Sequence, residues 1–240
     1  MQEPATVPVF ILFISIKIIS MLQKDTLLFL KNLSKNNNKP WLDANRKHYE
    51  AAKENYLAVV QEIIDAVAVF DEAIGNFKAK DCVFRVNRDV RFSKDKSPYK
   101  TNMGASFSTG GKKAKEAGYY FHAQPGQSFA AGGFYMPEPA ELAKIRQEID
   151  YNFDDWKKIV QHKNFIKHFP AGVDGVASLV RPPKGYDENN PAIGYLKMKG
   201  FIVSRPLSDS DLTSKNLIKE IAASFAAMKP MIDFLNHAIQ

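Results

Sequence analysis

The sequence is poor in the residues that cross-link small proteins. Its 240 residues include one cysteine, Cys82, which excludes an internal disulfide and any zinc site built from several cysteines. A chain of this length buries roughly 70% of its unfolded surface, so it needs neither kind of cross-link. A single free cysteine fits a reducing compartment, and we therefore expect a cytoplasmic protein.

Signatures of common enzymes and metal sites are also missing. The sequence has no Gly-x-Ser-x-Gly nucleophile elbow, no His-Glu-x-x-His metal motif and no glycine-rich dinucleotide fingerprint. Residues 110–113, Gly-Gly-Lys-Lys, lack the spacing and the Ser or Thr of a phosphate-binding loop. The five histidines show no metal-ligand spacing. We expect no metal and no cofactor, and the common hydrolases and dehydrogenases are disfavoured.

Long hydrophobic runs are absent as well. The apolar stretch 9–14 meets Lys17 well before the roughly 20 residues that a bilayer-spanning helix needs. It also lacks the basic start and the small-residue cleavage site of a signal peptide. We expect residues 1–20 to be an extension upstream of a natural start at Met21, with a peripheral membrane anchor as the alternative. We expect no integral membrane association, and a single domain over residues 21–240.

Apolar periodicity predicts helices on both sides of a block of strands. Spacings of three and four predict helices at 24–33, 41–70, 138–150, 153–168 and 190–198, and a C-terminal helix kinked at Pro230. Alternation with period two predicts strands at 82–92, 103–108, 118–124, 128–136 and 200–205. Because the helices flank the strands, the pattern indicates an α+β fold. We expect a mostly antiparallel sheet of about five strands packed against N-terminal, central and C-terminal helices.

A concentrated positive charge is the most distinctive feature that is present. Residues 78–115 include eleven lysines and arginines and three aspartates, a net charge of +8, whereas the whole chain carries +7. Such a concentration favours an anionic partner at this segment, and a solvated lysine-rich surface is the alternative.

The centre of this segment resembles a family signature. Arg88-Asp89-Val90-Arg91-Phe92, followed by Asp95-Lys96-Ser97-Pro98-Tyr99-Lys100, is similar to the signature of the domain-of-unknown-function 2461 family. Further similar motifs occur in consistent order at 37–41, 119–122, 133–137, 183–187 and 191–193, so the resemblance covers about 22–240. The resemblance implies kinship, but it supplies no catalytic residues.

Two interpretations of the basic segment stay open. In the first, an Arg–Asp network stabilises the fold: Asp89 pairs with Arg91 or Arg85, and Arg88, on the apolar face of the predicted strand, needs a carboxylate or carbonyl partner. In the second, cations converge on an anion around the turn at Ser97-Pro98. The predicted anion-binding residues are Arg85, Arg88, Arg91, Lys94, Lys96, Lys100, Arg181 and Lys184, with Asp89, Tyr99, Tyr120 and His122 in support.

Three functions follow from these interpretations. The first is a binding protein, or an enzyme of unfamiliar type, that engages a phosphorylated or otherwise anionic small molecule through residues 85–100. The second is a nucleic-acid-binding module in which bases stack on the interleaved aromatic residues Phe92, Tyr99, Phe107, Tyr119 and Tyr120. The third is a protein–protein interaction domain whose Arg–Asp network is structural. His122 is a candidate acid or base, although a structural histidine is the favoured interpretation.

Overall fold

A computed structural model describes residues 21–111 and 115–240 of the chain. The predicted N-terminal extension, residues 1–20, lies outside the described residues. Lys112 and Lys113, which contribute to the charge of the basic segment, lie outside them too.

The helices surround the strands much as the periodicity predicts. In chain order they are α1 (Lys24–Lys35), α2 (Lys39–Ala44), α3 (Arg46–Val67), α4 (Glu72–Gly75), α5 (Ala79–Cys82), α6 (Pro139–Tyr151), α7 (Phe153–Val160), α8 (Lys163–His168), α9 (Ile193–Leu196), α10 (Asp209–Leu212) and α11 (Leu217–Ile239). α11 continues through Pro230. No described helix has the length and apolar character that crossing a membrane requires.

Two predicted helices are each divided in two. The helix expected at 41–70 is α2 followed by α3, because the chain leaves helical geometry at Asn45. The side chain of Asn38 caps α2 by accepting a hydrogen bond from the backbone N–H of Trp41 at 3.0 Å. The helix expected at 153–168 is α7 followed by α8. Here the ring of His162 accepts from the backbone N–H of Asn164 and begins α8.

The described residues form a sheet of four strands, and every neighbouring pair is antiparallel. The strands are β1 (Met103–Phe107), β2 (Gly118–Ala123), β3 (Ser128–Phe134) and β4 (Phe201–Leu207), in the order β1-β2-β3-β4. The α+β class and the antiparallel sheet are confirmed, with four strands rather than about five. The turn between β2 and β3 contains Gly126, whose φ of 74° explains the glycine there.

The strand predicted at 82–92 is wrong. Cys82 ends α5, and the residues after it form isolated bridges, Val83 with Ala105 and Asn87 with Tyr99. The chain from 86 to 100 pairs with itself instead: the backbone N–H of Arg88 donates to the carbonyl of Pro98 at 2.9 Å, and that of Lys100 donates to the carbonyl of Val86 at 2.8 Å. We call residues 85–100 the basic loop. Their alternating sequence pattern therefore belongs to a loop folded back on itself beside β1.

Alternation along the strands gives the sheet two different faces. One face packs on α3 and α11 and forms the core, where Phe121 stacks on Tyr56 and Tyr119 on Phe225, with ring centroids 5.7 and 4.9 Å apart. We call the opposite face the open face. Its side chains are only partly buried; they include those of Ser106, Tyr120, His122, Phe129 and Ile202.

Candidate functional site

A cavity of about 660 Å³ lies on the open face. Its floor is formed by β2 and β3, and aromatic side chains make much of its wall; they are Phe84, Tyr120, His122, Phe129 and Tyr135. Such a combination of apolar walls with a few convergent polar groups is typical of small-molecule sites. The cavity is therefore the candidate functional site.

Tyr120, His122 and Gln124 form a hydrogen-bonded row, of which Tyr120 and His122 line this cavity. Strand alternation directs residues 120 and 122 to the same face of the sheet. Nε2 of His122 is 3.0 Å from Oε1 of Gln124, and an amide oxygen can only accept, so Nε2 carries the ring proton. Nδ1 then accepts from the Tyr120 hydroxyl at 3.1 Å. The amide nitrogen of Asn102 lies 3.4 Å from the same Nδ1.

The surroundings favour the neutral forms of this pair. Burial lowers the pKa of His122, and the hydrogen bond with Gln124 opposes that shift. Burial raises the pKa of Tyr120. The imidazole also stacks on Phe129, with ring centroids 4.6 Å apart and an interplanar angle of 8°. At neutral pH the row therefore presents an uncharged phenol and an uncharged imidazole, which can exchange a proton or hydrogen-bond to a ligand.

One end of the cavity is formed by Phe84, the residue before the basic loop. The backbone N–H of Phe84 donates to the carbonyl of Gly104 at 3.0 Å, which brings the Phe84 ring to 6.4 Å from that of Tyr120. The ammonium of Lys100 lies 5.3 Å from the centroid of the Phe84 ring. Burial, together with the nearby charge of Arg85, lowers the pKa of Lys100. Within the described part of the chain, neither of these two cations forms an ion pair.

The opposite end of the cavity carries charges that are already engaged. The Lys115 ammonium lies 3.8 Å from the Glu138 carboxylate. The Glu116 carboxylate accepts from the hydroxyl of Thr109 and from the backbone N–H of Gly110, the latter at 2.7 Å. These groups close the far end of the cavity. At the other end, the Lys100 ammonium lies beside the ring of Phe84, which lines the cavity.

In the basic loop, Arg88 has a structural role. Its guanidinium pairs with the Asp95 carboxylate and donates to the carbonyl of Ser97 at 3.3 Å and to the hydroxyl of Ser93 at 3.4 Å. Hydrogen bonds from Ser97 and the pairing with Arg88 hold the pKa of Asp95 well below its usual range. The side chain of Arg88 is 27% exposed, so it is a partly exposed clamp of the loop rather than a buried charge.

Two other predicted anion ligands of this loop are also engaged internally. The guanidinium of Arg91 donates to both oxygens of Asp89, from Nε at 3.0 Å and from Nη2 at 2.7 Å, and these bonds lower the pKa of that carboxylate. The Lys96 ammonium donates to the carbonyl of Val90 at 3.0 Å. Lys94 is exposed and makes no hydrogen bond or ion pair with a described residue. The loop therefore contains the Arg–Asp pairs of the first interpretation.

Of the remaining predicted residues, Arg181 and Lys184 lie apart from the basic loop, and Tyr99 is buried at its base. Residues 174–178 pair beside β4, through bridges from Asp174 to Ile202 and from Ser178 to Met198, so the loop that carries Arg181 and Lys184 follows the edge of the sheet opposite to β1. The structure does not bring these two cations to the basic loop. The Tyr99 ring is buried in a small cluster with α1 and α2, and its backbone exchanges hydrogen bonds with the side chain of Asn37.

Several residues around His122 could not be identified from the sequence. Phe84 and Phe129 line the cavity, and Asn102 and Gln124 contact the His122 ring. These residues come from four different segments, which the pairing of the chain brings together. One signal was available: the alternation that predicts β2 also places residues 120, 122 and 124 on one side of the chain.

Comparison with known proteins gives one match. The family model described as "Conserved hypothetical protein (DUF2461)" matches residues 25–234. No curated protein and no solved structure matches the chain.

Proposed function

Given that the chain belongs to the DUF2461 family, we propose that it binds a small molecule carrying both a planar ring and an anionic group, a phosphate or a carboxylate, in the cavity on the open face. In this proposal the ring lies among the aromatic walls, and the anionic group lies at the end formed by Phe84, beside Lys100. A cytoplasmic location, expected from the single cysteine, is part of the same proposal.

The observation that carries this proposal is the pair of cations at Phe84. Lys100 is partly buried against the Phe84 ring, and the like charge of Arg85 adds to the cost of keeping its ammonium charged. A bound anion would offset both effects, because an opposite charge nearby favours the ammonium form. The gain would be larger than at an exposed lysine, since partly buried charges are less screened by salt.

The aromatic walls of the cavity support the proposal that the ligand carries a planar ring. Phe129 already stacks on His122, and Tyr120 is tilted against the Phe129 ring with centroids 5.8 Å apart. A planar ligand ring would extend this arrangement by offset or edge-to-face contacts, which add about 0.5–1.5 kcal/mol beyond the area buried. A cavity of about 660 Å³ is large enough for a ligand of mononucleotide size.

A second form of the proposal is favoured by the Tyr120–His122 pair. The Tyr120 hydroxyl lies 3.1 Å from Nδ1 of His122, within the distance at which a histidine acts as a general base toward a hydroxyl. If the ligand is chemically transformed, this pair is where a proton is taken up or released. The Tyr120→Phe protein would then bind ligand and fail to transform it.

The experiment is a set of thermal shifts on the full chain. Ring-bearing phosphates (the four ribonucleoside monophosphates and phenyl phosphate) are compared with nucleosides, which lack the anion, and with inorganic phosphate, which lacks the ring. A ligand at about 100 times its dissociation constant stabilises by about 2.7 kcal/mol. We expect stabilisation by at least one ring-bearing phosphate and a much smaller effect of either fragment.

Two lysine variants make the test specific to the cavity. Lys100→Gln should abolish the stabilisation, and Lys94→Gln, which removes the same charge from the same loop but away from the cavity, should leave it intact. Absence of any shift among the ring-bearing phosphates, or equal loss in both variants, would overturn the proposal.

A further inference from the structure

The tip of the basic loop carries an unusual apolar side chain. Phe92 is 97% exposed, the highest value among the large hydrophobic residues of the described chain. Its one described ring contact is with the guanidinium of Arg91, 5.8 Å from the ring centroid. Because the ring is exposed to solvent, it does not contribute to the hydrophobic core.

Hydrogen bonds join the two arms of the loop that carries this ring. Arg88 clamps the two arms of the loop through Asp95 and the carbonyl of Ser97, and the Lys96 ammonium closes the tip on the carbonyl of Val90. Backbone hydrogen bonds at the base of the loop, from Arg88 to Pro98 and from Lys100 to Val86, join the arms. A preorganised loop loses less conformational entropy when it binds a partner.

Cations flank the ring in the sequence, and one of them, Arg91, contacts it. Arg91, Lys94 and Lys96 lie within four residues of Phe92, and all three are exposed. Asp89 pairs with Arg91 in an exposed bidentate contact, and exposed pairs of this kind exchange partners at little cost. The tip therefore offers one exposed aromatic ring in contact with one cation, and two further exposed cations lie within four residues of it.

We propose that this tip binds single-stranded nucleic acid, with a base stacked on Phe92 and neighbouring phosphates on Arg91, Lys94 and Lys96. One ring suffices to stack one base, whereas binding to a membrane surface scales with buried apolar area and needs a larger apolar face. Tyr99, Phe107 and Tyr119, which the sequence also offered for stacking, are at most 8% exposed. Stacking at the loop therefore depends on Phe92.

The test is fluorescence anisotropy of the full chain with a labelled oligothymidylate of about 12 nucleotides, a length within the usual range for single-strand sites. We expect the logarithm of the binding constant to fall with the logarithm of salt concentration with a slope of roughly −2, since three phosphate contacts contribute about −0.7 each. Phe92→Ala and Phe92→Leu should each weaken binding roughly tenfold or more. Neither removes a core contact, so both proteins should keep the wild-type unfolding midpoint.

Two control variants and a vesicle-binding assay distinguish nucleic-acid binding from binding to a membrane surface. Tyr151→Ala removes an exposed aromatic residue at the end of α6, and Lys163→Gln removes an exposed charge on α8; both should bind the oligonucleotide as wild type does. Unchanged affinity of Phe92→Ala, or a flat salt dependence, would overturn the proposal. So would binding to phosphatidylserine vesicles, retained by Phe92→Leu, with no binding to the oligonucleotide. Phe92 does not line the cavity, so Lys100→Gln should lose the small ligand and keep the Phe92-dependent part of oligonucleotide binding.

Discussion

The phenol of Tyr120 lies against Gly104 on the neighbouring strand, so closely that a Cβ atom added to Gly104 would come within 2.5 Å of the phenol oxygen. Across the strand pair, Gly104 is the register partner of His122, which accepts the hydrogen bond of the same phenol. The missing side chain at Gly104 therefore provides the space in which the Tyr120–His122 hydrogen bond forms.

Gly104→Ala should disrupt the Tyr120–His122 hydrogen bond while reducing the stability of the fold only moderately. The obstructing atoms belong to the far end of a flexible side chain, so the phenol can move aside, and we expect the free energy of unfolding to fall by no more than about 2 kcal/mol. The hydrogen bond to His122 should be lost. Urea unfolding measures the first effect, and the imidazole NMR resonances of His122 report the second.

Gly133→Ala is the contrasting substitution on the same face of the sheet. Gly133 has a φ of 118°, and its Cβ would overlap the backbone carbonyl oxygen of Phe201. Backbone cannot move aside as a side chain can, so we expect a loss of more than about 3 kcal/mol of unfolding free energy. Equal losses for the two glycine variants would contradict the account of Gly104.

The stability of the protein should depend on the protonation of His122. Burial lowers the pKa of this residue in the fold, whereas in the unfolded chain it returns to about 6.5. As pH falls below about 6.5, the unfolded chain takes up the proton first, so the free energy of unfolding decreases until pH reaches the folded pKa. Above about pH 6.5 the contribution of His122 is constant.

Urea denaturation of wild type and His122→Gln between about pH 7.5 and 5 checks this dependence. The carboxylates contribute to both curves, so the difference between the two proteins isolates the histidine. We expect the variant to lose less stability than wild type on acidification. A difference that stays constant over this range, or grows in the other direction, would show that burial does not disfavour the imidazolium.

Arg88→Ala should loosen the basic loop and leave the rest of the fold in place. The substitution removes the contacts with Asp95, Ser97 and Ser93 together, and the side chain is partly exposed, so no charge is left stranded in the core. Hydrogen–deuterium exchange should rise at residues 88–100 while the unfolding midpoint changes little. Arg91→Ala, which removes only an exposed pair with Asp89, is the control and should leave exchange at the base of the loop unchanged.

The fold could be predicted from the sequence where the pattern is long and regular. Helix α3 has one apolar stripe that includes Tyr56, Val59 and Ile63, all buried on the core, and β2 has an alternation that the structure reproduces residue by residue. Residues 82–92 have an equally regular alternation but form a loop, because the loop satisfies its backbone hydrogen bonds with its own second arm. Periodicity shows which side chains lie on the same side of a segment. It does not show which other segment that one pairs with.

The site was harder to predict for the same reason. The sequence pattern indicates the segment 85–100 and the residues Tyr120 and His122. It does not predict that Phe84 and Phe129 line one cavity, with Lys100 beside the Phe84 ring. It also grouped Arg181 and Lys184 with the basic loop, although strand order places their loop along the opposite edge of the sheet. Distances between segments depend on strand order, which local patterns do not encode.

The most direct test of the central claim is an NMR titration that follows the imidazole resonances of all five histidines while a ring-bearing phosphate is added. A ligand in the cavity should shift the resonances of His122 alone, since His122 stacks on Phe129 in the cavity wall. Lys100→Gln should abolish that shift, and Lys94→Gln should preserve it. Saturable binding that leaves His122 unchanged and shifts another histidine would contradict the account and place the ligand elsewhere on the protein.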